Sequence, residues 1–415
     1  MSDADDGGVA LYTGLLTDPR FLSVLLVSIA STMGGNVARP ALPGIAAGLG
    51  VSDAAIGLVI SAYTLPTAIC VPVAGTLADV YGRRTVVLPS LVVFGVAGTA
   101  IAFVGGVTGA TGALPLTPFQ GVLALRVLQG VAVAGVGTLT VTLLGDLYDG
   151  DRGAVAQGTR VGANKINNIL APVMVGVLAG IAWNFPFLLY AFAFPVAALA
   201  YRYLPSTVSP RDASASVRAV FREYARSLRV ELRDRNLRLL VSGGGVRDFV
   251  KAGVLTFVPI FAVRELGASL AVAGAVLSAR GFAGIVAAPL SGAVVSRSSR
   301  KGTLLAGLLV GIAGVLAIPL SPSVPVLWVA VAVFGVGDAL FAPVLKDAVT
   351  DNVADDTRAG VVGGMNTLKK TVQTIGPAFF GVVLTVAGFD PIFYVAAVAA
   401  AGYLVVLLVA LPAEA

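Results

Sequence analysis

The stretch "GTLADVYGRRTVV", Gly75 to Val87, places one acid and two arginines within six residues of a chain in which only 12% of residues are charged. Apolar runs flank it, "SAYTLPTAICVPVA" before and "LPSLVVFGVAGTAIAFV" after. A helix needs about 20 apolar residues to cross a bilayer. A charged turn between two such runs reads as a loop at a membrane face. The whole chain agrees: 57% of its 415 residues are hydrophobic and its mean hydropathy is +0.92, whereas a soluble domain carries about 25% charge.

Outward from that loop, apolar runs and their Gly, Pro or charged breaks give twelve spans, roughly 21–48, 54–78, 85–107, 119–145, 153–182, 184–204, 237–263, 269–295, 302–320, 324–346, 358–387 and 390–411. The expected fold class is an all-α membrane protein of twelve transmembrane helices in two pseudo-symmetric six-helix bundles. The expected domains are a cytoplasmic tail (1–20), a first bundle (21–204), a cytoplasmic linker (205–236) and a second bundle (237–411). The linker is charged and locally amphipathic, which predicts a helix lying on the membrane surface. The first twenty residues are acidic and lack the basic start of a secretory signal, so the first apolar run is expected to stay in the mature protein.

The net charge is +6, but its location argues for topology and against nucleic acid. With the N-terminus inside, the cytoplasmic loops hold Arg83 and Arg84, Arg152, the arginine-rich linker, Arg297 with Arg300 and Lys301, and Arg358; the outer loops hold Arg264 alone. The positive-inside rule therefore predicts that both termini are cytoplasmic, in a plasma membrane. The chain has no histidine and a single cysteine, Cys70. That removes a disulfide framework, a thiolate zinc site and a histidine-based triad, so no metal, cofactor or enzymatic activity is expected.

The two halves resemble each other. Ser61–Val87 lies over Ser278–Leu304 without a gap: Pro72 meets Pro289, Gly75 meets Gly292, and Arg83 and Arg84 meet Arg300 and Lys301. Laying Pro172 on Pro377 pairs Lys165 with Lys370, Asn168 with Gln373 and Gly176 with Gly381. Duplicated halves are how many secondary transporters are built.

The opening stretch resembles the loop between helices 2 and 3 of the major facilitator superfamily, GxLaDxxGRR, carried here by Gly75, Leu77, Ala78, Asp79, Gly82, Arg83 and Arg84. Val80 stands where the family often has a basic residue. The resemblance implies a cytoplasmic latch. In it Gly75 lets helices approach, Asp79 faces a helix N-terminus across the boundary between halves, and Gly82 makes the turn. "RVLQGVAVAG", from Arg126, resembles the RxxQG pattern found on span 4 of many members, including proton-coupled drug exporters. The GPxxGG stretch of the exporters is only partly present, as "APVMVGVLAG" from Ala171.

Ionisable residues at bilayer depth are costly and mark function by default. Counting along the spans picks out Arg39, Arg126, Lys165, Arg247, Asp248, Lys251, Arg280, Asp338, Lys369 and Lys370, eight basic and two acidic. The surplus of cations predicts a cavity for a small organic or inorganic anion. Its expected substrate-binding residues are Arg39, Asn164, Lys165, Asn168, Arg247, Lys251, Arg280, Asn366, Lys370 and Gln373. Gly75, Asp79, Gly82, Arg83, Arg84, Arg126, Asp248 and Asp338 are the candidates for coupling or gating. Asp338 is either a proton-titrating carboxylate or a fixed counter-ion for Arg280 or Arg126, and Arg247, Asp248 and Lys251 can equally form a structural ion-pair cluster.

The function that follows is a secondary active transporter working by alternating access. Its expected partners are the lipid bilayer, a small-molecule substrate and a co-transported proton, sodium or counter-anion, with the protein a monomer. Proton-coupled multidrug efflux by antiport is the alternative, and a non-transporting membrane receptor a third. There is no phosphate-cradling GxxxxGK[ST] loop for ATP.

Overall fold

The computed structural model describes residues 11–107, 116–205, 235–297, 299–351 and 358–410, the side chains of 107, 288–297, 358–364, 366 and 367 excepted. Half of the tail and most of the linker, with its expected surface helix, lie outside the described residues. The elements in chain order are α1 Pro19–Leu49, α2 Ala55–Tyr81, α3 Arg83–Gly106, α4 Pro118–Leu147, α5 Gly150–Ile181, α6 Phe185–Tyr203, α7 Arg235–Arg264, α8 Leu270–Arg297, α9 Arg300–Ala317, α10 Val324–Asp351, α11 Arg358–Ala387 and α12 Asp390–Ala410. Each meets one expected span, and no strand occurs among the described residues.

Eleven of the helices contain a stretch long and apolar enough to cross a bilayer; α7 is the exception. At 30 residues it has the length, about 45 Å at 1.5 Å per residue, but Arg247, Asp248 and Lys251 interrupt its middle. Prolines sit inside several helices, among them Pro40 and Pro43 in α1, Pro172 in α5 and Pro377 in α11. Neighbouring helices make such breaks tolerable in a membrane protein. The ends are set by local chemistry. Gly82 turns α2 into α3 at φ 89°, a region L side chains rarely adopt. Thr117 and Gln120 form a capping box at the start of α4.

Contacts divide the chain into two units: one comprises 1–38, 62–171 and 184–220, the other 39–61, 172–183 and 221–415. In the first unit α3 packs on α4 and α6. Gly135 admits Ser90 and Gly98 admits Tyr190, because a Cβ at either glycine would fall within 2.4 Å of those side chains. In the second unit α10 packs against α8 and α9, with Gly337 of α10 lying against the backbone of Gly307 and Gly311. Small residues at such crossings are what membrane helices use to associate.

The second unit also contains the ends of α1, α2 and α5, and there the repeat shows itself in backbone packing. A Cβ on Gly57 would stand 2.6 Å from the Pro377 carbonyl oxygen, and one on Gly381 2.3 Å from that of Ala54. The counterparts of these residues repeat the contact: Gly274 against the Pro172 oxygen at 2.2 Å, and Gly176 against that of Ala271 at 3.1 Å, with the neighbouring Leu270 oxygen at 2.6 Å. Two reciprocal knuckles, α2 with α11 and α8 with α5, hold these helix ends together. Beside them Arg264 Nε and Nη2 donate to Asp53 at 2.8 and 3.2 Å. That ion pair explains the one arginine that broke the charge asymmetry of the loops.

Candidate transport site

The ionisable residues of the second unit gather where α7, α8, α10 and α11 meet. Asp338 on α10 accepts from Arg247 Nε at Oδ1 (2.5 Å) and from an Arg280 terminal nitrogen at Oδ2 (2.6 Å). One turn along α7 from Arg247, Lys251 Nζ lies 3.8 Å from Asp248 Oδ1, to which Gln373 on α11 donates at 3.4 Å. Lys370, one turn before Thr374, stands within electrostatic range of Arg39, Lys369 and Asp248. Of the residues counted at bilayer depth, six cations, Arg39, Arg247, Lys251, Arg280, Lys369 and Lys370, and two carboxylates, Asp248 and Asp338, belong to the second unit. Arg280 Nε is buried with no hydrogen-bond partner among the described residues. A buried donor left without an acceptor costs about 1–3 kcal/mol, which an anionic ligand would recover.

In the first unit the polar side chains of α5, including the expected binding residues Asn164 and Asn168, bond to α1. Asn164 donates to Ser28 Oγ at 2.9 Å, Asn167 to Thr32 Oγ1 at 2.8 Å, and Asn168 Oδ1 accepts from Asn36 at 2.7 Å. Ser28, Thr32 and Asn36 follow one another at i, i+4 and i+8, so the ladder runs along one face of α1. Part of the hydrogen-bonding capacity assigned from sequence to a solute therefore holds two helices together. Asn164 Oδ1 remains buried without a donor, and Lys165 beside it is exposed and makes no hydrogen bond among the described residues. The side chain of Asn366 lies outside the described residues.

Arg126 is wholly buried. Its guanidinium donates to Gln129 Oε1 (2.6 Å), the Tyr190 hydroxyl (3.1 Å) and the Gly34 carbonyl (2.8 Å), and lies 4.6 Å from the centre of the Tyr63 ring. Gln129 was legible as part of the RxxQG pattern. Tyr63 and Tyr190 were not, since each is about 64 residues from Arg126 along the chain.

At the turns from α2 to α3 and from α8 to α9 the paired basic residues cap helix ends. Arg83 bonds to the Thr142 carbonyl (2.8 Å) and pairs with Asp146 on α4, while Arg84 donates to the carbonyls of Tyr201 and Leu204 at the end of α6. In the second unit Arg300 pairs with Asp351 at the end of α10 (2.6 Å) and Lys301 donates to the Leu408 carbonyl of α12 (3.0 Å). Cations at helix C-termini oppose the negative end of the macrodipole. Among the described residues Asp79 makes no hydrogen bond or ion pair, and a Cβ on Gly75 would meet nothing within 4 Å. The close approach expected at Gly75 is therefore not made among those residues.

A family model described as Major Facilitator Superfamily matches residues 24–247 and 240–415. The chain belongs to the Major Facilitator Superfamily. It is an all-α, multi-pass membrane transporter and not an enzyme. Among relatives, the bacillibactin exporter of Bacillus subtilis (strain 168) is 31% identical over 170 residues, covering 40% of this chain and 40% of the exporter. The hexuronate transporter of the same organism is 23% identical over 396 residues, covering 89% of this chain and 88% of that protein. The multidrug transporter protein MdtP, also of Bacillus subtilis (strain 168), is 21% identical and covers 92% and 77%. Among solved structures, a mutant form of the nucleoside transporter NupG matches with a TM-score of 0.78 at 13% identity, over 95% of this chain and 100% of that one. The human organic anion transporter MFSD10 matches at 0.65 and 18%, over 94% and 99%. At such identities the likeness is one of fold.

Proposed function

We infer that this member of the superfamily is a secondary active transporter of a small organic anion. It resides as a monomer in a plasma membrane with both termini cytoplasmic, and it works by alternating access of its two repeats. The observation that carries this reading is the cation surplus among the second unit's residues counted at bilayer depth, six basic side chains against two carboxylates, with Arg280 Nε buried and without a hydrogen-bond partner among the described residues. Charges of one sign at membrane depth need a compensating ion. By the repeat, Lys165 is the counterpart of Lys370 and takes the corresponding role. Asp79, Gly82, Arg83 and Arg84 serve the cytoplasmic latch. The hexuronate transporter, matched along most of both chains, has a name that denotes a sugar carboxylate, which agrees with an organic anion.

A second reading, proton-coupled efflux of amphipathic compounds, is favoured by the name of the multidrug relative and by the RxxQG segment around Arg126. The test is thermal unfolding of the purified protein with glucuronate, citrate, inorganic phosphate, tetraphenylphosphonium or ethidium, since a ligand that binds only the folded state raises the midpoint. The anion reading predicts stabilisation by one or more anions, lost in Lys370→Ala and Arg247→Gln. Stabilisation by the lipophilic cations alone would reverse the order of the two readings.

A further inference from the structure

We propose that Asp338 is a tethered counter-anion, which a substrate anion replaces between Arg247 and Arg280 while Asp338 takes up a proton. This rests on the anion reading above and supplies its coupling step.

Asp338 spends one oxygen on each arginine. A guanidinium has five N–H donors, and among the described residues each of these two gives one to Asp338. The two arginines share a single carboxylate, so the group of three keeps one positive charge. Arg280 Nε remains buried and unsatisfied. A carboxylate-bearing solute fits these spare donors, and Arg is the side chain suited to bind it in fork geometry.

The surroundings leave Asp338 as the group that has to yield. From α7 it faces Arg247, Asp248 and Lys251, and from α8 Arg280. Asp248 is engaged by Lys251 and by Gln373 of α11. Near Asp338, α9 contributes Gly307, Leu308 and Gly311 and α12 contributes Ala400, none of them titratable. These residues, with Val246, Val315 and Phe334, line a cavity of about 40 Å³ whose wall also includes Arg247 and Asp338. That is room for a displaced carboxyl group or for a few water molecules, each of which needs about 10–15 Å³ by the same measure. A carboxyl group that has lost its two guanidinium hydrogen bonds, among walls that are otherwise apolar, is far cheaper neutral than charged.

The step balances simply. The substrate anion accepts hydrogen bonds from Arg247 and Arg280, the two bonds to Asp338 break, and the carboxylate gains one proton from the buffered solution on the open side. Release reverses each event, so one proton travels with each anion and a monovalent substrate moves without net charge.

The experiment is isothermal titration of the full-length protein with glucuronate, benzoate and inorganic phosphate between about pH 5.5 and 8.5, in buffers of differing ionisation enthalpy. Wild type is expected to take up one proton per bound anion, with affinity falling up to tenfold per unit rise in pH on the alkaline side. Asp338→Asn is expected to bind the same anion with no proton uptake and little pH dependence. Anion binding by wild type without proton uptake overturns the inference and leaves the anion site standing, and this arm needs no variant. Uptake that persists in Asp338→Asn also overturns it. No binding of any of the three anions at any pH overturns the site reading and this inference together.

Discussion

Arg126 shows what a buried cation can be for. Its partners Gln129, Tyr190 and the Gly34 carbonyl lie on α4, α6 and α1, so a single guanidinium ties three helices. Removing it strands several buried polar groups at about 1–3 kcal/mol each. Arg126→Leu should therefore lower the thermal midpoint far more than Tyr190→Phe, which removes one hydroxyl worth about 1 kcal/mol. Asp18, just ahead of α1, permits a prediction in pH. Its carboxylate accepts from Tyr148 (2.6 Å) and from the Arg20 amide (2.9 Å), with Arg152 at 3.6 Å. Partial burial pushes its pKa up, but the hydrogen bonds and Arg152 outweigh that and hold it below the ordinary 3.8. Burial first, and then the bond to Asp18, push the Tyr148 pKa above its ordinary 10.0. The lowered acid gives stability that is present above pH 3.8 and lost as pH falls through and below it. The raised phenol gives stability that is present below pH 10.0 and lost as pH climbs above it. Midpoints measured across pH should show a shallower acid limb and a lost alkaline contribution in Tyr148→Phe; unchanged limbs would refute the pairing. At this scale the ionisable residues stand out in the sequence by type, yet their partners come from helices far along the chain. Nothing local to Arg126 or Asn164 announced Tyr190 or Ser28.

Helices were the most legible level, because a run of apolar residues between breaks is a strong signal in a bilayer, where backbone groups have no other partner. α7 was legible for the same reason even though Arg247, Asp248 and Lys251 spoil its hydropathy: its length and its flanking breaks survive three charges. What the sequence could not tell was which of its fifty glycines carry contacts. Gly57 and Gly274 stand with carbonyl oxygens of Pro377 and Pro172 where a side chain would begin, whereas Gly162 and Gly105 have nothing within 4 Å. Overpacking a tight contact costs about 1–3 kcal/mol. Gly57→Val and Gly274→Val should accordingly lower the thermal midpoint by several degrees, against a small change for Gly162→Val that reflects helix propensity alone. Equal effects at the two kinds of site would contradict the reciprocal knuckles.

At the level of the molecule, duplication explains more than any single motif. The register that laid Arg83 and Arg84 on Arg300 and Lys301 is matched in structure: the first of each pair meets an acid near the end of the fourth or tenth helix, and the second caps the sixth or twelfth. Apart from Lys165 and Lys370, the ionisable residues inside the spans do not follow that symmetry. Arg126 sits in a neutral network in the first repeat, while the second repeat concentrates Arg247, Lys251, Arg280 and Asp338. Symmetry thus builds the frame, and its breaking assigns the chemistry. The most direct measurement is counterflow in proteoliposomes, which needs no knowledge of the coupling ion: vesicles loaded with unlabelled glucuronate or another stabilising anion are diluted into a trace of the labelled compound. The account predicts transient accumulation of label with wild type and its loss in Arg280→Gln and Lys370→Ala. Exchange of a lipophilic cation, with no anion exchanged by wild type, would contradict it.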